Sequence, residues 1–243
     1  MLEPDNIYDS IREMINSIPD NYKILEETID IDIQKDYFES AKDISIDPEI
    51  DIVPEMIELL NYPETPVEER KIILQKLALI DSVEAFRAIE KYTKNPHKEL
   101  KEWAVLSLQQ SKMVLQSSLL DEQQIFISTG LGGKDDKLRY FLIFPYNTEI
   151  EEISHIQKDA LKSELDFYLS KNESLTESID FHQKYAVAMV LIPLKAPIPE
   201  IIKDILTECN QLGNYLSHDV MITNMKRFSH EEIIEIINQV HEE

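Results

Sequence analysis

All four glycines of the chain, Gly130, Gly132, Gly133 and Gly213, lie beyond residue 129. The first half therefore lacks the residue that takes the positive φ of a tight hairpin turn without steric cost, and a helical first half is the expectation. Its punctuation agrees. Asp47-Pro48, Thr65-Pro66 and Asn95-Pro96 each set a capping side chain before a proline, which suits the first helical position because the N–H it lacks would be unpaired there anyway. Thr65-Pro66-Val67-Glu68 reads further as a capping box, the Glu68 carboxylate returning to the amide of the cap.

Between these marks the apolar spacing is helical. Ile7, Ile11, Met14, Ile15 and Ile18 form one stripe, Ile52, Met56, Leu59 and Leu60 a second, and Ile73, Leu74, Leu77, Leu79 and Ile80 a third. Val83, Phe86, Ile89 and Tyr92 follow on a helix capped by Asp81 or Ser82, then Leu100, Trp103, Ala104, Leu106 and Leu108 on the next. Residues 21–44 read as helix-loop-helix, although Ile29-Asp30-Ile31-Asp32-Ile33 alternates with period two. The segment Glu55-Met56-Ile57-Glu58 through Leu77 returns approximately as Arg87-Ala88-Ile89-Glu90 through Leu108, a repeat of about 32 residues made of helix, proline-containing turn and helix. With the runs Glu69 to Ala85 and Trp103 to Leu108, this stretch resembles HEAT-type repeats over residues 48–118. The resemblance implies a short α-solenoid of stacked helix pairs, whose extended faces in that family bind other proteins.

After Ser117-Ser118 the period changes. Gln124–Ser128 and Leu138–Pro145 are β-rich runs on either side of the glycine-rich turn and read as a hairpin with a longer loop. A helix over 148–170, strands over 178–182 and 185–194, a helix over 199–212 ended by Gly213, and a strand over 218–225 follow. Ser229-His230-Glu231-Glu232 is a capping box that opens a terminal helix with Ile233, Ile236, Ile237 and Val240 inside. From Leu138 the order strand, helix, strand, strand, helix, strand resembles that of a ferredoxin-like sandwich. The expected fold is thus an α + α/β two-part chain: a helical HEAT-like domain over 1–118 and a ferredoxin-like α+β domain over 119–243. The strand Ala186 to Ile192 is apolar on both faces, so the sheet face opposite the crossover helices needs a cover, expected from the helical half or from a second copy in an isologous homodimer.

Charge restricts the partners. With 47 acidic against 24 basic residues the net charge is -23, which repels phosphate backbones and anionic lipid, so neither nucleic acid nor membrane is expected. Residues 1–66 carry 18 of the carboxylates against 4 basic side chains, an acidic face suited to a basic protein partner. The lone Cys209 cannot form an internal disulfide, and the start Met1-Leu2-Glu3-Pro4-Asp5 lacks the basic and apolar regions of a secretory signal; a cytoplasmic setting is expected. Cys209 falls in a helical apolar pattern with Ile201, Ile202, Ile205 and Leu206 and reads as a packed side chain.

Ser128-Thr129-Gly130-Leu131-Gly132-Gly133-Lys134 is the candidate ligand-binding segment, since consecutive amides in a glycine-rich turn can cradle an anion and a lysine can neutralise it. The residues concerned are Gly130, Gly132, Gly133 and Lys134. Asp135-Asp136 follow at once and repel phosphate, and the segment is not set between a strand and a helix as a Walker A loop requires. Glu152, His155 and Asp159 share a helix face, Asp30, Asp32 and Asp36 lack the glycine of a calcium loop, and His218-Asp219 on one strand would point to opposite faces. No catalytic, metal or cofactor site is therefore assigned. Trp103 is read as core between stacked helices. The function these readings favour is a non-enzymatic interaction or adaptor protein with an acidic helical binding face; the alternative is a ligand-responsive or catalytic ferredoxin-like domain using Gly130–Lys134.

Overall fold

The structure is a computed structural model and describes residues 15, 17–19, 21–46, 52–122 and 124–242. The stripe expected over 7–18 and the cap expected at Asp47 lie in whole or in large part outside them. The chain mixes helices with an antiparallel sheet, an α+β composition, and divides into two units. One holds residues 21–25 and 29–127; the other holds 26–28 and 128–242 with the described residues among the first nineteen. The division falls after residue 127 rather than 118, because the chain past the last helix of the first unit returns to pair with its beginning.

That first unit contains β1 (Tyr22–Ile24), α1 (Ile31–Ala41), α2 (Val53–Asn61), α3 (Val67–Leu79), α4 (Val83–Thr93), a 3-10 turn at Lys98–Leu100, α5 (Lys101–Leu120) and β2 (Ile125–Ile127). β1 and β2 are parallel, with Lys23 opposite Phe126. This corrects the expected hairpin of 124–128 with 138–145: the first of those runs belongs to the helical unit. Residues 21–44 also differ from helix-loop-helix. Asp30 ends the extended stretch by accepting the Asp32 amide at 2.8 Å, so the isoleucine–aspartate alternation straddles a helix start. Ser82 caps α4 as expected, accepting from the amides of Glu84 and Ala85. Thr65 does not form its box; its hydroxyl donates to the Leu59 carbonyl at 2.7 Å, closing the end of α2 instead of opening α3. The core gathers Tyr37, Leu60, Leu74, Leu77, Ile89, Leu100 and Ala104 between α1 and α5.

In the second unit come β3 (Gly133–Lys134), β4 (Lys137–Pro145), α6 (His155–Lys171), β5 (Leu175–Phe181), β6 (Tyr185–Pro193), α7 (Ile198–Asn210), β7 (Met221–Thr223) and α8 (His230–Glu242). β4 and β6 form the central antiparallel pair, from Lys137 opposite Pro193 to Pro145 opposite Tyr185. β5 lies outside β6, and β7 and β3 pair with the other edge of β4 at different points along it. Alternation assigns the faces. Leu142, Phe144, Ala186, Ala188, Val190 and Ile192 face α6 and α7, where Leu161, Leu165, Leu169, Ile201 and Ile205 fill the layer.

Phe141, Ile143, Tyr185, Val187 and Met189 face the other way and meet Ile233 and Ile237 of α8 together with Leu131. The cover that the second face needs thus comes from the terminal helix of the same unit. The need for helical-domain cover or for a sheet-to-sheet homodimer disappears with it.

Candidate functional site

The helical unit carries a groove between α1 and α3. Asp36, Glu39 and Ser40 stand three and four residues apart on α1, and Glu68, Lys71, Ile72 and Gln75 follow the same spacing on α3, so each set forms one helix face. Together with Trp103, near the start of α5, these residues line a cavity of about 490 Å³. Gln75 fixes its width. The buried amide donates to the Tyr37 carbonyl at 2.8 Å and to Ser40 Oγ at 2.7 Å, tying α3 to α1 at the base of the groove. Tyr37, fully buried, donates its hydroxyl to Gln110 Oε1 at 2.5 Å and meets Trp103 edge-on at 5.1 Å between ring centroids. Burial pushes the Tyr37 hydroxyl far above its ordinary range, so it stays a neutral donor.

Trp103 is a core residue, as expected, at 6% exposure, and its indole N–H donates to the Lys71 carbonyl at 3.2 Å. The outer side of its ring faces the Lys71 ammonium, 5.0 Å from the centroid. Glu68 Oε1 holds the same ammonium at 2.8 Å. The carboxylates of Asp36 and Glu39 have no hydrogen-bond or ion-pair partner among the described residues. Three carboxylates thus face one ammonium, over a floor to which Ile72, 47% exposed, adds apolar surface. The arrangement is electronegative, and its aromatic ring is already covered by the chain's own Lys71. It has no group set up for covalent or acid–base chemistry: Ser40, the one hydroxyl, donates to the Asp36 and Tyr37 carbonyls and accepts from Gln75.

The glycine-rich segment lies in the other unit and is placed differently from an anion cradle. The amide of Leu131 donates to the Asn224 carbonyl at 3.0 Å, that of Gly132 to Thr129 at 3.2 Å and that of Gly133 to Glu26 at 3.3 Å. A Cβ on Gly130 would lie 1.6 Å from the Met225 carbonyl oxygen, and one on Gly132 2.4 Å from that of Glu26. These glycines serve close backbone approach. The tight turn is made by Asp135 and Asp136, both at positive φ, joining β3 to β4, and Lys134 is exposed beside it. Gly130, Gly132, Gly133 and Lys134 are therefore neighbours, but three consecutive amides of the segment already have carbonyl partners.

Two further clusters lie in this unit. Tyr185 Oη is 2.5 Å from His230 Nδ1, and the His182 ring stacks on Tyr185 at 4.8 Å. Burial raises the Tyr185 hydroxyl above its usual range, and its hydrogen bond with the imidazole fastens the first turn of α8 to β6. Arg139 holds Glu177 bidentately at 2.5 and 3.0 Å across the second sheet face. The guanidinium keeps the Glu177 carboxyl below the usual carboxylate range, with Lys134 and Arg227 contributing. Glu152, His155 and Asp159 do not converge: Glu152 pairs with Lys158 at 3.0 Å, while His155 lies 3.5 Å from Asp159 in full solvent. Among the described residues no group of three His, Cys, Asp or Glu is placed to hold a metal, and no helix is long and apolar enough to cross a membrane. Cys209 is buried, which pushes its thiol up.

In the sequence Asp36, Glu68 and Trp103 stand out only as an incomplete calcium loop, a capping-box carboxylate and a core side chain, and nothing there joins them to Glu39, Lys71, Ile72 and Gln75 as one groove. The acidity of the first 66 residues and the isolated Trp103 were its visible signals, but 36, 39, 68 and 71 meet only through the pairing of helices some 30 residues apart.

No protein-family model matches the chain, and no curated protein does. Among solved structures, one described as a "putative transposase" from Deinococcus radiodurans is similar over 44% of this chain and 90% of that one, with 15% identity and a TM-score of 0.35. A similarity of that size carries no argument about this chain.

Proposed function

We propose that the protein is a non-enzymatic interaction or adaptor protein whose helical unit holds a basic segment of a partner protein in the groove between α1 and α3. The observation that carries this reading is the set of Asp36, Glu39 and Glu68 around a floor of Trp103 and Ile72. Carboxylates at the rim steer a cationic segment in, and the apolar floor gives its aliphatic stems a surface to cover. A net charge of -23 supports a basic protein, rather than nucleic acid or an anionic membrane, as the partner. The lone cysteine, buried and free, supports a cytoplasmic setting. We read α2 to α5 as HEAT-like helix pairs and the second unit as a ferredoxin-like sandwich. The latter is supported by its strand order β7-β4-β6-β5 with two crossover helices on one face.

The test uses the full chain and a fluorescent peptide of alternating Lys/Arg and Gly/Ser. Binding is expected to weaken as salt rises from 50 to 300 mM. Replacing Asp36, Glu39 and Glu68 by their amides should weaken it about tenfold, more than amide replacement of Glu55, Glu58 and Glu90 on other helix faces. Equal losses from the two sets would mean that the peptide reads net charge and not the groove.

A further inference from the structure

The groove already contains a cation. Lys71 lies over the ring of Trp103, which helps to line the cavity, 5.0 Å from the ring centroid, with Glu68 holding its ammonium at 2.8 Å. Its side chain is 28% exposed and that of Glu68 78%, so the pair sits at the groove mouth and can swing out into water without unpacking the core. The ring, by contrast, is fixed from behind by its N–H bond to the Lys71 carbonyl and by the edge of Tyr37. A rigid aromatic face, a carboxylate in position and a mobile ammonium between them form an occupied cation site whose occupant belongs to the chain itself. Asp36 and Glu39 across the cavity hold no cation among the described residues, which leaves room for a second positive group.

We propose that Lys71 is an internal placeholder, and that a partner's Lys or Arg displaces it from Trp103 and Glu68 while a neighbouring basic side chain of the same partner engages Asp36 and Glu39. The groove is accordingly selective for a pair of basic residues. This rests on the groove reading given above. Arginine is the better competitor, because its flat guanidinium stacks on an indole and meets a carboxylate with two N–H groups at once, whereas Lys71 offers a single point charge. Release of the native ammonium into water offsets part of each binding event, so the site exchanges its cation readily and favours ligands that bring two.

Trp103 is the sole tryptophan of the chain, so indole emission reports on this one ring face. The full chain is titrated with an Arg-Arg peptide and, in parallel, a peptide with both arginines replaced by citrulline, at 50 and 500 mM NaCl. K71M and K71Q remove the placeholder; K76M, elsewhere on α3, removes the same charge without touching the groove. Thermal melts confirm that each variant folds.

Both Lys71 variants are expected to bind the Arg-Arg peptide about two- to fivefold tighter than K76M, a margin that persists at 500 mM where long-range charge effects are screened. In free K71M the emission should differ from that of the parent, and bound arginine should return it towards the parent value. Equal affinities of K71M, K71Q and K76M, or no change in emission on binding, would overturn the placeholder. D36N/E39Q separates the two proposals: a loss of affinity there with no Lys71 effect leaves the groove standing without its placeholder, and no effect at either place removes both.

Discussion

Gly132 sits at φ +65 with the Glu26 and Glu27 carbonyls 2.4 and 2.5 Å from where a Cβ would be. An alanine there meets both a left-handed backbone and a closed space, so Gly132→Ala should lower unfolding stability by about 2 kcal/mol or more, read by urea titration. Gly130→Ala has no special φ yet a harsher contact with Met225, and should cost at least as much. The Arg139–Glu177 pair makes a pH-dependent prediction. Because the folded carboxyl is held below its unfolded value, the pair's contribution is complete above the ordinary Glu range near 4.3 and fades as pH falls through the lowered folded value. Glu177→Gln should therefore destabilise the protein by about 1 kcal/mol at pH 7, discounted for partial exposure, and approach the parent's stability as pH falls through the lowered folded value. At this scale the sequence was legible in its logic and misleading in its particulars. Among the described residues none before Asp121 has a positive φ, in keeping with a glycine-free first half. Beyond it, however, Asp121, Asp135, Asp136, Glu173, Lys184 and Asn214 take positive φ beside Gly132 and Gly213, so turns there do not wait for glycine, and Gly130 and Gly132 serve close backbone approach instead.

Helix ends show which elements a one-dimensional pattern can find. The box expected at Ser229 is present, the Glu232 amide reaching Ser229 Oγ at 3.3 Å and the Ser229 amide reaching Glu232 Oε2 at 2.8 Å. It opens the helix that covers the second sheet face, so Ser229→Ala should cost about 1 kcal/mol and raise hydrogen exchange in the first turn of α8 before any change in β4 or β6. Ser154 with Gln157 forms a further box that begins α6 at His155, well after the expected 148, because the interval holds a turn rather than a helix. Thr65 has the same sequence signature as Ser229 and does something else with its hydroxyl. A cap motif specifies local competence; the competing carbonyl of Leu59, six residues back, is supplied by tertiary structure. The groove was hidden for the same reason. The period of α3 was visible from Ile73, Leu74 and Leu77, but α1 was obscured by its alternating start, and a site between two helices cannot be read from one of them.

At the scale of the molecule, the helical first half, the α+β second half and the order of the strands after Leu138 were all legible, because each follows from local period and turn chemistry. The parallel pairing of β1 with β2 was not: it joins residues about a hundred positions apart and leaves no local mark. The same is true of residues 26–28, which leave the helical unit to close over the glycine-rich segment, where Thr28 donates to the Leu131 carbonyl and Glu26 accepts from the Gly133 and Asp135 amides. A fragment beginning at residue 128 should consequently be less stable than the same unit in the full chain, with the deficit localised by hydrogen exchange to 129–139. During synthesis those three residues leave the ribosome long before their partners, which lie 103 to 109 positions further on. At roughly 5–20 residues per second, that is a wait of about 5–20 s. The helical unit can assemble in that interval, but the seam at the start of the second unit joins the freshly made segment 131–135 to thread drawn from the beginning, so that unit is not completed from its own continuous stretch of translation.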